Sequence, residues 1–352
     1  MGSWVTASGE WNGERVLAGR LQILNAPRVP FPQPDGDWAR LQDADGRRAG
    51  YLRGRALILR EIRRFFDERA FVEVQTPAMV PSPGLDLHLD AFPVAGAEPA
   101  RYLATSPEYQ MKRLLAGGLP RIYQLGPAFR RGERGTHHEP CFSMLEWYRA
   151  FHGSVDLMND TEELVAAVAR GCSSGSLVIE VDGTHVNLTP PWERLTVEQA
   201  FQRYAGVSAQ RLAQDEDAFF RVLVEQVEPQ LGRLRPAFLT AYPASMASLA
   251  RLDPKNTAIA DRFEAYVAGI ELCNGFGELI DPVEQRERLT RDQATRRARG
   301  LPVYPIDERF LGALEEGMPP AGGNALGVDR LVMFLLGADS IADVVAIPDS
   351  ML

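Results

Sequence analysis

Two strand-like runs joined by a long polar segment constrain the fold of this chain more than any other feature. IYQLGPAFR, residues 122–130, alternates like a half-buried strand, and FSMLEWY, residues 142–148, is apolar enough for a strand buried on both faces. The polar segment RGERGTHHEP lies between them. This order predicts an antiparallel hairpin with a long, mobile loop.

The rest of the chain mixes helical and strand-like runs without a βαβ order. Helical periodicity recurs in residues 53–69, 107–116, 155–170 and 196–232. Short strand-like runs such as LVIEVDG and HVNL lie between them, and no GxGxxG motif is present in the sequence. The pattern predicts an α+β fold, with an antiparallel sheet flanked by helices, rather than a Rossmann fold.

The first residues follow a different pattern. WVTASGEW and RVLAGRLQIL alternate like short strands, with an Asn-Gly turn signal between them, and a proline-rich connector follows. We therefore predict a short β-type extension and linker over residues 1–48, and one large domain over residues 49–352.

Composition excludes several classes of protein. The 352 residues carry a net charge of −9, whereas proteins that bind nucleic acid mainly through phosphates usually have a basic excess. The three cysteines are widely spaced, which argues against a disulfide framework or a zinc site and favours a reducing cytoplasm. No apolar run approaches the roughly 20 residues that span a bilayer, and the N-terminus does not resemble a secretory signal.

The hairpin carries two residues with chemical potential. Arg130 ends the first run, where its planar guanidinium group suits a phosphate. Glu146 lies inside the apolar second run, and a buried carboxylate is costly unless it is paired. Its partner is either a cation of the protein, in an internal salt bridge, or a cation of a ligand. His137 and His138 alone are typical of exposed loop residues.

A second constellation is RFEAYVAGIELCNGFGELID, residues 262–281, in which Glu264, Glu271 and Glu278 are spaced by seven. On a flat strand this spacing alternates between faces, so Glu264 and Glu271 converge only across a bend, such as one near Ala268-Gly269. A converging pair could hold Mg²⁺ together with phosphate oxygens. The alternative is a helix with a heptad stripe, against which the glycines of the stretch argue.

A third constellation is AGGNALGVDRLVMFLLG, residues 321–337, where small residues lead into an amphipathic helix with Arg330 at its start. Such an entry permits close backbone approach, and a helix N-terminus favours anions. Alone this is a weak signal. Two arginines, a carboxylate pair and a buried acid together predict a site for a nucleotide and an amine.

These stretches resemble the class II aminoacyl-tRNA synthetases from about residue 53 to the end. Phe129-Arg130 with its loop and strand resembles motif 2, and ALGVDR at 325–330 resembles motif 3. The helix to Arg69 and VEVQTP, ending at Pro77, resemble motif 1, which forms the dimer interface in that family. TSPEYQMKRLL, GIELCNGFGEL and GVDRLVM are similar to the lysyl branch.

Within that branch, the chain resembles the truncated lysyl-tRNA synthetase paralogues that attach (R)-β-lysine to a lysine of elongation factor P. Only about 48 residues precede the core, where a true synthetase carries an OB-fold anticodon domain. Ser106 and Ala325 stand where the synthetase pattern has alanine and glycine.

The resemblance implies a cytoplasmic homodimer that uses ATP and Mg²⁺ to activate lysine or β-lysine as an adenylate and transfers it to elongation factor P. Neither tRNA nor a membrane is expected as a partner. Two alternatives remain open at this point: an adenylating enzyme with another acceptor (tRNA, a carrier protein or a small amine), and a non-catalytic synthetase-like paralogue.

The resemblance also assigns roles by motif. It gives catalytic roles to Arg130 and Arg330. It implies an ATP site of Arg130, His138, Glu139, Phe142, Glu271, Leu272, Gly327 and Arg330. It implies a substrate pocket of Ser106, Glu108, Glu146, Tyr148, Asn274, Glu278 and Ala325. It assigns Mg²⁺ to Glu264 and Glu271.

The nucleotide loop departs from the family pattern at three positions. Gly132 stands where the family usually has a glutamate, and Glu139 and Cys141 replace an asparagine and a glutamate. These departures are the reason for keeping the non-catalytic alternative. Glu133 would compensate for Gly132 if the loop were shifted by one residue.

Overall fold

The computed structural model describes residues 3–33, 36–41, 46–172 and 175–352. The chain divides into two compact units, Met1–Arg53 and Gly54–Leu352. A domain boundary between residues 48 and 49 stays a prediction, and residues 34–35 of the predicted linker lie outside the described residues.

The first unit contains an antiparallel hairpin. Its strands are β1 (Trp4–Trp11) and β2 (Val16–Asn25), as the alternating pattern predicts. The Asn12 side chain accepts hydrogen bonds from the backbone N–H groups of Glu14 and Arg15 at 3.1 and 2.9 Å, and Gly13 takes a φ of +100°. The Asn-Gly pair therefore forms the turn. Helix α1 (Asp37–Leu41) and the start of α2 (Arg47–Asp67) complete this unit.

The second unit alternates short strands and helices. After the remainder of α2 its elements are, in chain order, β3 (Val72–Glu73), β4 (Met79–Val80), β5 (Tyr102–Leu103), α3 (Glu108–Ala116), β6 (Arg121–Phe129), β7 (Cys141–Ala150), α4 (Ser154–Cys172), β8 (Val178–Val181), β9 (Thr184–Asn187), β10 (Glu193–Thr196), α5 (Val197–Ala205), α6 (Ala209–Leu212), α7 (Glu216–Val222), β11 (Ala237–Pro243), β12 (Leu252–Asp253), β13 (Asn256–Val267), β14 (Ile270–Gly277), α8 (Pro282–Ala298), α9 (Glu308–Gly317), β15 (Ala321–Gly327), α10 (Val328–Leu336) and α11 (Ile341–Val344).

One large sheet organises this unit. Its nine strands run in the order β10, β11, β13, β14, β15, β7, β6 and β3, with β12 paired to β13. All neighbours are antiparallel except β10–β11 and β3–β6, which are parallel. The predicted α+β fold is confirmed. The two parallel pairs were not predicted, because edge strands of four and two residues carry almost no pattern.

A two-residue turn joins β13 to β14. Ala268 and Gly269 have φ angles of +53° and +84°, which match the left-handed conformation of a tight hairpin turn. The predicted bend is therefore confirmed at these two residues. The turn pairs Tyr266 with Glu271, and Glu264 lies two residues from Tyr266 on the same strand, so Glu264 and Glu271 share one face of the sheet. A register shift beyond Tyr266 then pairs Glu264 with Asn274.

Helix α4 covers the opposite face. It packs against β13, β14 and β15, and Thr161 accepts a hydrogen bond from the Asn324 side chain at 2.9 Å. Since successive residues of a strand point to opposite faces, Ala325 lies on the face away from α4. That face carries the candidate site, because Ala325 and Asn274 line its cavity.

Candidate active site

A row of five paired residues runs across the middle of the sheet. Through successive antiparallel pairings, Glu264 lies opposite Asn274, Asn274 opposite Ala325, Ala325 opposite Glu146, and Glu146 opposite Gln124. Directly paired residues in an antiparallel sheet point to the same face. The fold therefore aligns four of the sequence-predicted site residues, although they lie up to 179 positions apart in the chain (325 − 146).

The loop between β6 and β7 holds the first arginine. Arg130 leaves β6 with its backbone N–H bonded to the carbonyl of Pro140 at 2.9 Å, and its guanidinium lies 5.0 Å from the centre of the Phe142 ring. Among the described residues, the buried Nε of Arg130 has no hydrogen-bond partner. An unpaired donor beside an aromatic face suits a ligand with an anionic group next to a planar base.

Gly132 has a structural role in this loop. Its φ of +89° belongs to the left-handed region, where a glutamate would be strained. The loop then brings a carboxylate oxygen of Glu133 to 3.6 Å from the Arg130 guanidinium. The sequence-based hypothesis that Glu133 acts in place of residue 132 gains this geometric support and stays a prediction.

The second arginine, Arg330, joins three elements at the start of α10. Its guanidinium donates to the backbone carbonyl of Glu271 at 2.7 Å and to the carbonyl of His137 at 3.3 Å, and it lies 2.7 Å from Nε2 of His138. Burial, and then the positive charge of Arg330, lower the pKa of His138, so its neutral ring can accept this contact. Arg330 thereby connects the nucleotide loop with β14.

A buried ion pair sets the position of α10. Arg55 of α2 lies 2.6 Å from the Asp329 carboxylate and 2.7 Å from the Ser143 hydroxyl, while the Ser143 N–H donates to Asp329 at 2.8 Å. Asp329 is only 2% exposed. Sequence reasoning missed this ion pair, because Arg55 lies 274 residues before Asp329 (329 − 55) and its sequence context does not distinguish it from other arginines on a helix surface.

The carboxylate pair of β13 and β14 is unequal. Glu264 is 6% exposed and accepts hydrogen bonds from Tyr242, Tyr266 and Arg262 at 2.5, 2.6 and 2.5 Å. The Glu271 side chain is 39% exposed, which makes it the more accessible of the two carboxylates.

A third acid, missed by sequence reasoning, stands nearby. The Tyr266 hydroxyl also donates to Glu228 at 3.1 Å, and burial together with Glu264 raises the pKa of Glu228 to about 7. Among the described residues, no group of three or more His, Cys, Asp or Glu side chains is arranged to hold a metal ion. Hard carboxylate oxygens still fit Mg²⁺, with the more accessible Glu271 as the principal ligand and Glu264 beside it, provided that phosphates supply the remaining ligands.

The predicted substrate residues lie at two levels. A cavity of about 180 Å³ is lined by Ser106, Glu108, Asn274 and Ala325 together with Arg130. Asn274 presents a buried Oδ1 that has no hydrogen-bond partner among the described residues, and an amine donor would satisfy it.

The other three predicted residues, Glu146, Tyr148 and Glu278, lie deeper, each 2% exposed or less. Glu146 accepts hydrogen bonds from the Ser106 hydroxyl at 2.8 Å and the Tyr148 hydroxyl at 2.5 Å. Burial, and next the charge of Glu108, raise the pKa of Glu146 to about 7. Among the described residues, neither side chain that donates a hydrogen bond to Glu146 is a cation. Of the two predicted partners, a cation of the protein or a cation of a ligand, this arrangement favours the ligand.

Gly323 is a further residue that sequence reasoning missed. A Cβ atom there would lie 2.3 Å from Oε1 of Glu278 and 2.3 Å from the Tyr148 ring. Only glycine leaves room for these two groups to meet across β15. The glycine-rich run before motif 3 gave the signal, but the register that places Gly323 opposite Tyr148 is not readable from one sequence.

Three more residues were predicted to bind ATP: Glu139, Leu272 and Gly327. Glu139 accepts a hydrogen bond from the backbone of Asp349 at 3.0 Å, near the C-terminus. Leu272 is 1% exposed and packs in the sheet, so that only its backbone can face a ligand. Gly327 is the residue at which β15 passes directly into α10.

Comparison with known proteins agrees with this architecture. The family model described as tRNA synthetases class II (D, K and N) matches residues 42–351. The elongation factor P–(R)-β-lysine ligases of Erwinia tasmaniensis and Photorhabdus laumondii are each 43% identical to this chain over 319 residues, covering 83% of this chain and 93% of the relative. The ligase of that name from Yersinia enterocolitica is 43% identical over 307 residues.

The chain belongs to the class II tRNA synthetase family, within the group that includes these ligases. The predicted resemblance, the fold class and the expectation of an enzyme are confirmed. No helix among the described residues is long and apolar enough to cross a membrane.

Proposed function

We propose that this protein activates a lysine-type amino acid with ATP and transfers the aminoacyl group to a lysine of elongation factor P. The names of the relatives support the substrate and the acceptor. The observation that carries the proposal is the cavity that Arg130 lines together with Glu108 and Ser106, with the buried carboxylate of Glu146 directly beneath and hydrogen-bonded to the Ser106 hydroxyl at 2.8 Å.

The first step joins the amino acid to AMP. A substrate carboxylate oxygen attacks the α-phosphorus of ATP, the bond to the β-phosphate oxygen breaks, and pyrophosphate leaves. Arg130 and Arg330 stabilise the charge on the phosphates, and Phe142 offers its ring to the adenine. Bound Mg²⁺, held by Glu271 and Glu264, would neutralise phosphate charge.

The second step transfers the aminoacyl group. A neutral acceptor amine attacks the carbonyl carbon, AMP leaves, and the amine proton passes to solvent or to the departing phosphate. No side chain is needed as a nucleophile, so positioning and electrostatics account for the rate. Glu146, Glu108 and Glu278 hold the ammonium groups of the substrate, and Asn274 accepts from one of them.

The cellular and oligomeric context belongs to the same proposal. We place the protein in the cytoplasm as a homodimer that contacts its partner through residues 53–80. Val72 and Met79 in this region are 49% and 48% exposed, so both side chains are accessible for such a contact. Light scattering at micromolar concentration tests the dimer, and a monomer would contradict it.

Pyrophosphate exchange followed by an acceptor assay tests the function. We expect ATP–pyrophosphate exchange that depends on β-lysine or α-lysine and not on norleucine, which lacks the side-chain amine. Labelled product should then appear on elongation factor P and not on a variant whose acceptor lysine is arginine. Transfer to tRNA, to a carrier protein or to a small amine instead would give the reaction another acceptor, and no exchange with any lysine isomer would favour a non-catalytic paralogue.

A further inference from the structure

A lysine of the protein itself lies beneath the amine pocket. Lys112 of α3 is 0% exposed, and its ammonium nitrogen lies 2.6 Å from Oε1 of Glu108 and 2.6 Å from Oε2 of Glu278. Both carboxylates belong to the predicted substrate pocket. Among the described residues, no other cationic side chain forms a salt bridge with these two acids or with Glu146.

The residue type at this position is unusual for this chain. Lys112 and Lys255 are its only lysines, so 36 of its 38 basic residues are arginines. An ammonium group is a compact point charge, whereas a guanidinium group is a wide planar fork. The chain therefore places a compact cation at a fully enclosed position between two carboxylates.

The charges of the cluster can be counted. Glu108, Glu146 and Glu278 supply three negative charges, and Lys112 cancels one, which leaves two. A lysine-type substrate carries two ammonium groups, and its carboxylate is directed to the ATP side. Tyr148 and Ser106, which donate to Glu146, are uncharged hydroxyls. The cavity lining also carries two arginines and two aspartates, whose charges balance: Arg130, Arg262, Asp86 and Asp292.

From this arrangement we infer that Lys112 is a positioning residue: its fixed ammonium cancels one of three carboxylate charges, so that the pocket matches a substrate with two ammonium groups. This inference rests on the proposed function. Lys112 touches the carboxylates and not the reacting atoms. Oε1 of Glu278, which has no hydrogen-bond partner among the described residues, is the oxygen left for a substrate ammonium.

The charge of Lys112 also affects the pH dependence of substrate binding. Burial raises the pKa of Glu278 and of Glu146, and the Lys112 charge opposes that rise in both. A carboxylate with a raised pKa binds an ammonium group only above that pKa. Without Lys112, Glu278 and Glu146 would stay protonated up to a higher pH. The variant would then fail to bind the substrate at a pH where the parent still binds it.

The first experiment is a pH profile of kcat/KM for lysine-dependent pyrophosphate exchange, in the parent and in Lys112→Met. We expect the acidic limb of the profile to move upward by about 1–3 pH units, the effect of one close opposite charge. At neutral pH this amounts to roughly a tenfold loss or more in kcat/KM, with a smaller change in kcat at saturating substrate.

Arg149→Met is the matched control. Arg149 also forms a buried ion pair, 2.7 Å from Asp160, and it neighbours Tyr148 in β7 but points to the opposite face. Its loss should reduce stability without moving the limb. If Lys112→Met lowers activity equally at every pH, as a purely structural lesion would, the inference is wrong.

A double substitution tests the charge count even if Lys112→Met alone does not fold. Glu108→Gln leaves one net negative charge, and Lys112→Met/Glu108→Gln restores two, from Glu146 and Glu278. We therefore expect adding Lys112→Met to Glu108→Gln to raise kcat/KM for lysine about tenfold. Additive losses would overturn the inference. Failure of the parent itself to use any lysine isomer would instead contradict the proposed function.

Discussion

The two halves of the proposed site, one for the nucleotide and one for the amine, are built by different means. On the nucleotide side, Arg130 and Arg330 are partly exposed at the ends of elements, and their contacts join a loop, a strand and a helix start. On the amine side, Glu146 and Glu278 lie within the sheet and beneath the cavity, almost fully buried. A phosphate can be held by groups at the surface, because its charge is large and spread over several oxygens. A small ammonium group is selected by enclosure.

Because one side is partly exposed and the other is buried, we expect substitutions on the two sides to affect the enzyme differently. Substitutions on the nucleotide side should remove charge stabilisation and lower the rate for every amino acid. Substitutions on the amine side should change KM, pH dependence and selectivity among amino acids, because buried carboxylates have raised pKa values.

The largest expected effect lies on the nucleotide side. Arg130→Ala and Arg330→Ala should each reduce pyrophosphate exchange by about 10²–10³-fold, the usual loss for one preorganised donor at a developing charge. Arg131→Ala is the matched control, since that neighbouring side chain is 50% exposed. Unchanged exchange in either variant would remove that arginine from the site.

The next effect, on the amine side, is a dependence on pH. The pKa of Glu146 is raised to about 7, so its carboxyl group is neutral below that pH and loses its attraction for the substrate ammonium. We expect kcat/KM for lysine to fall about tenfold for each pH unit below 7, or roughly a hundredfold at pH 5. Glu146→Gln should make this limb less steep and leave the part that is due to Glu278, whose pKa burial raises to about 8. A profile that is flat from pH 5 to 8 in the parent would contradict the assignment.

A smaller effect concerns magnesium. Glu271→Gln should raise the Mg²⁺ concentration needed for half-maximal exchange by about 10–100-fold, because an amide is a poorer ligand for a hard cation. Glu264→Gln should also raise it. Glu228→Gln is the control, since Glu228 reaches the pair through Tyr266. Magnesium titrations of both ligand variants that overlay the parent would show that these carboxylates are structural.

What the sequence could predict differs between the two halves. The convergence of Glu264 and Glu271 followed from their spacing and from Ala268-Gly269, because a tight turn has a local signature. Two other contacts could not be predicted: the hydrogen bond from Tyr242 to Glu264 and the ion pair of Lys112 with Glu278. They depend on strand register and on helix docking. In the sequence, Lys112 is one polar residue within the helical pattern of residues 107–116. Only the fold shows that its side chain is fully buried.

The smallest expected effect, on the amine side, decides between isomers of the substrate. Ala325 lies between Glu146 and Asn274 in the row across the sheet, and Ser106 donates to Glu146. β-Lysine and α-lysine carry the same charges and differ only in the position of one amine, so shape must separate them. A misfit of one methylene is worth about 1–3 kcal/mol.

We therefore expect the parent to favour β-lysine, and Ala325→Gly to shift the ratio of kcat/KM values toward α-lysine by about tenfold, the lower end of that range. Ser106→Ala should add to the shift, because it frees the Glu146 oxygen that the hydroxyl now occupies. Exchange with both isomers, in the parent, the single variants and the double variant, measures the ratio. Val303→Ala, at a partly exposed position outside the cavity lining, controls for loss of bulk elsewhere. Selectivity does not arise from these two residues if the parent prefers α-lysine or if the double variant keeps the parental ratio. In that case the buried acids bind the amines of both isomers without distinguishing the position of the amine along the chain.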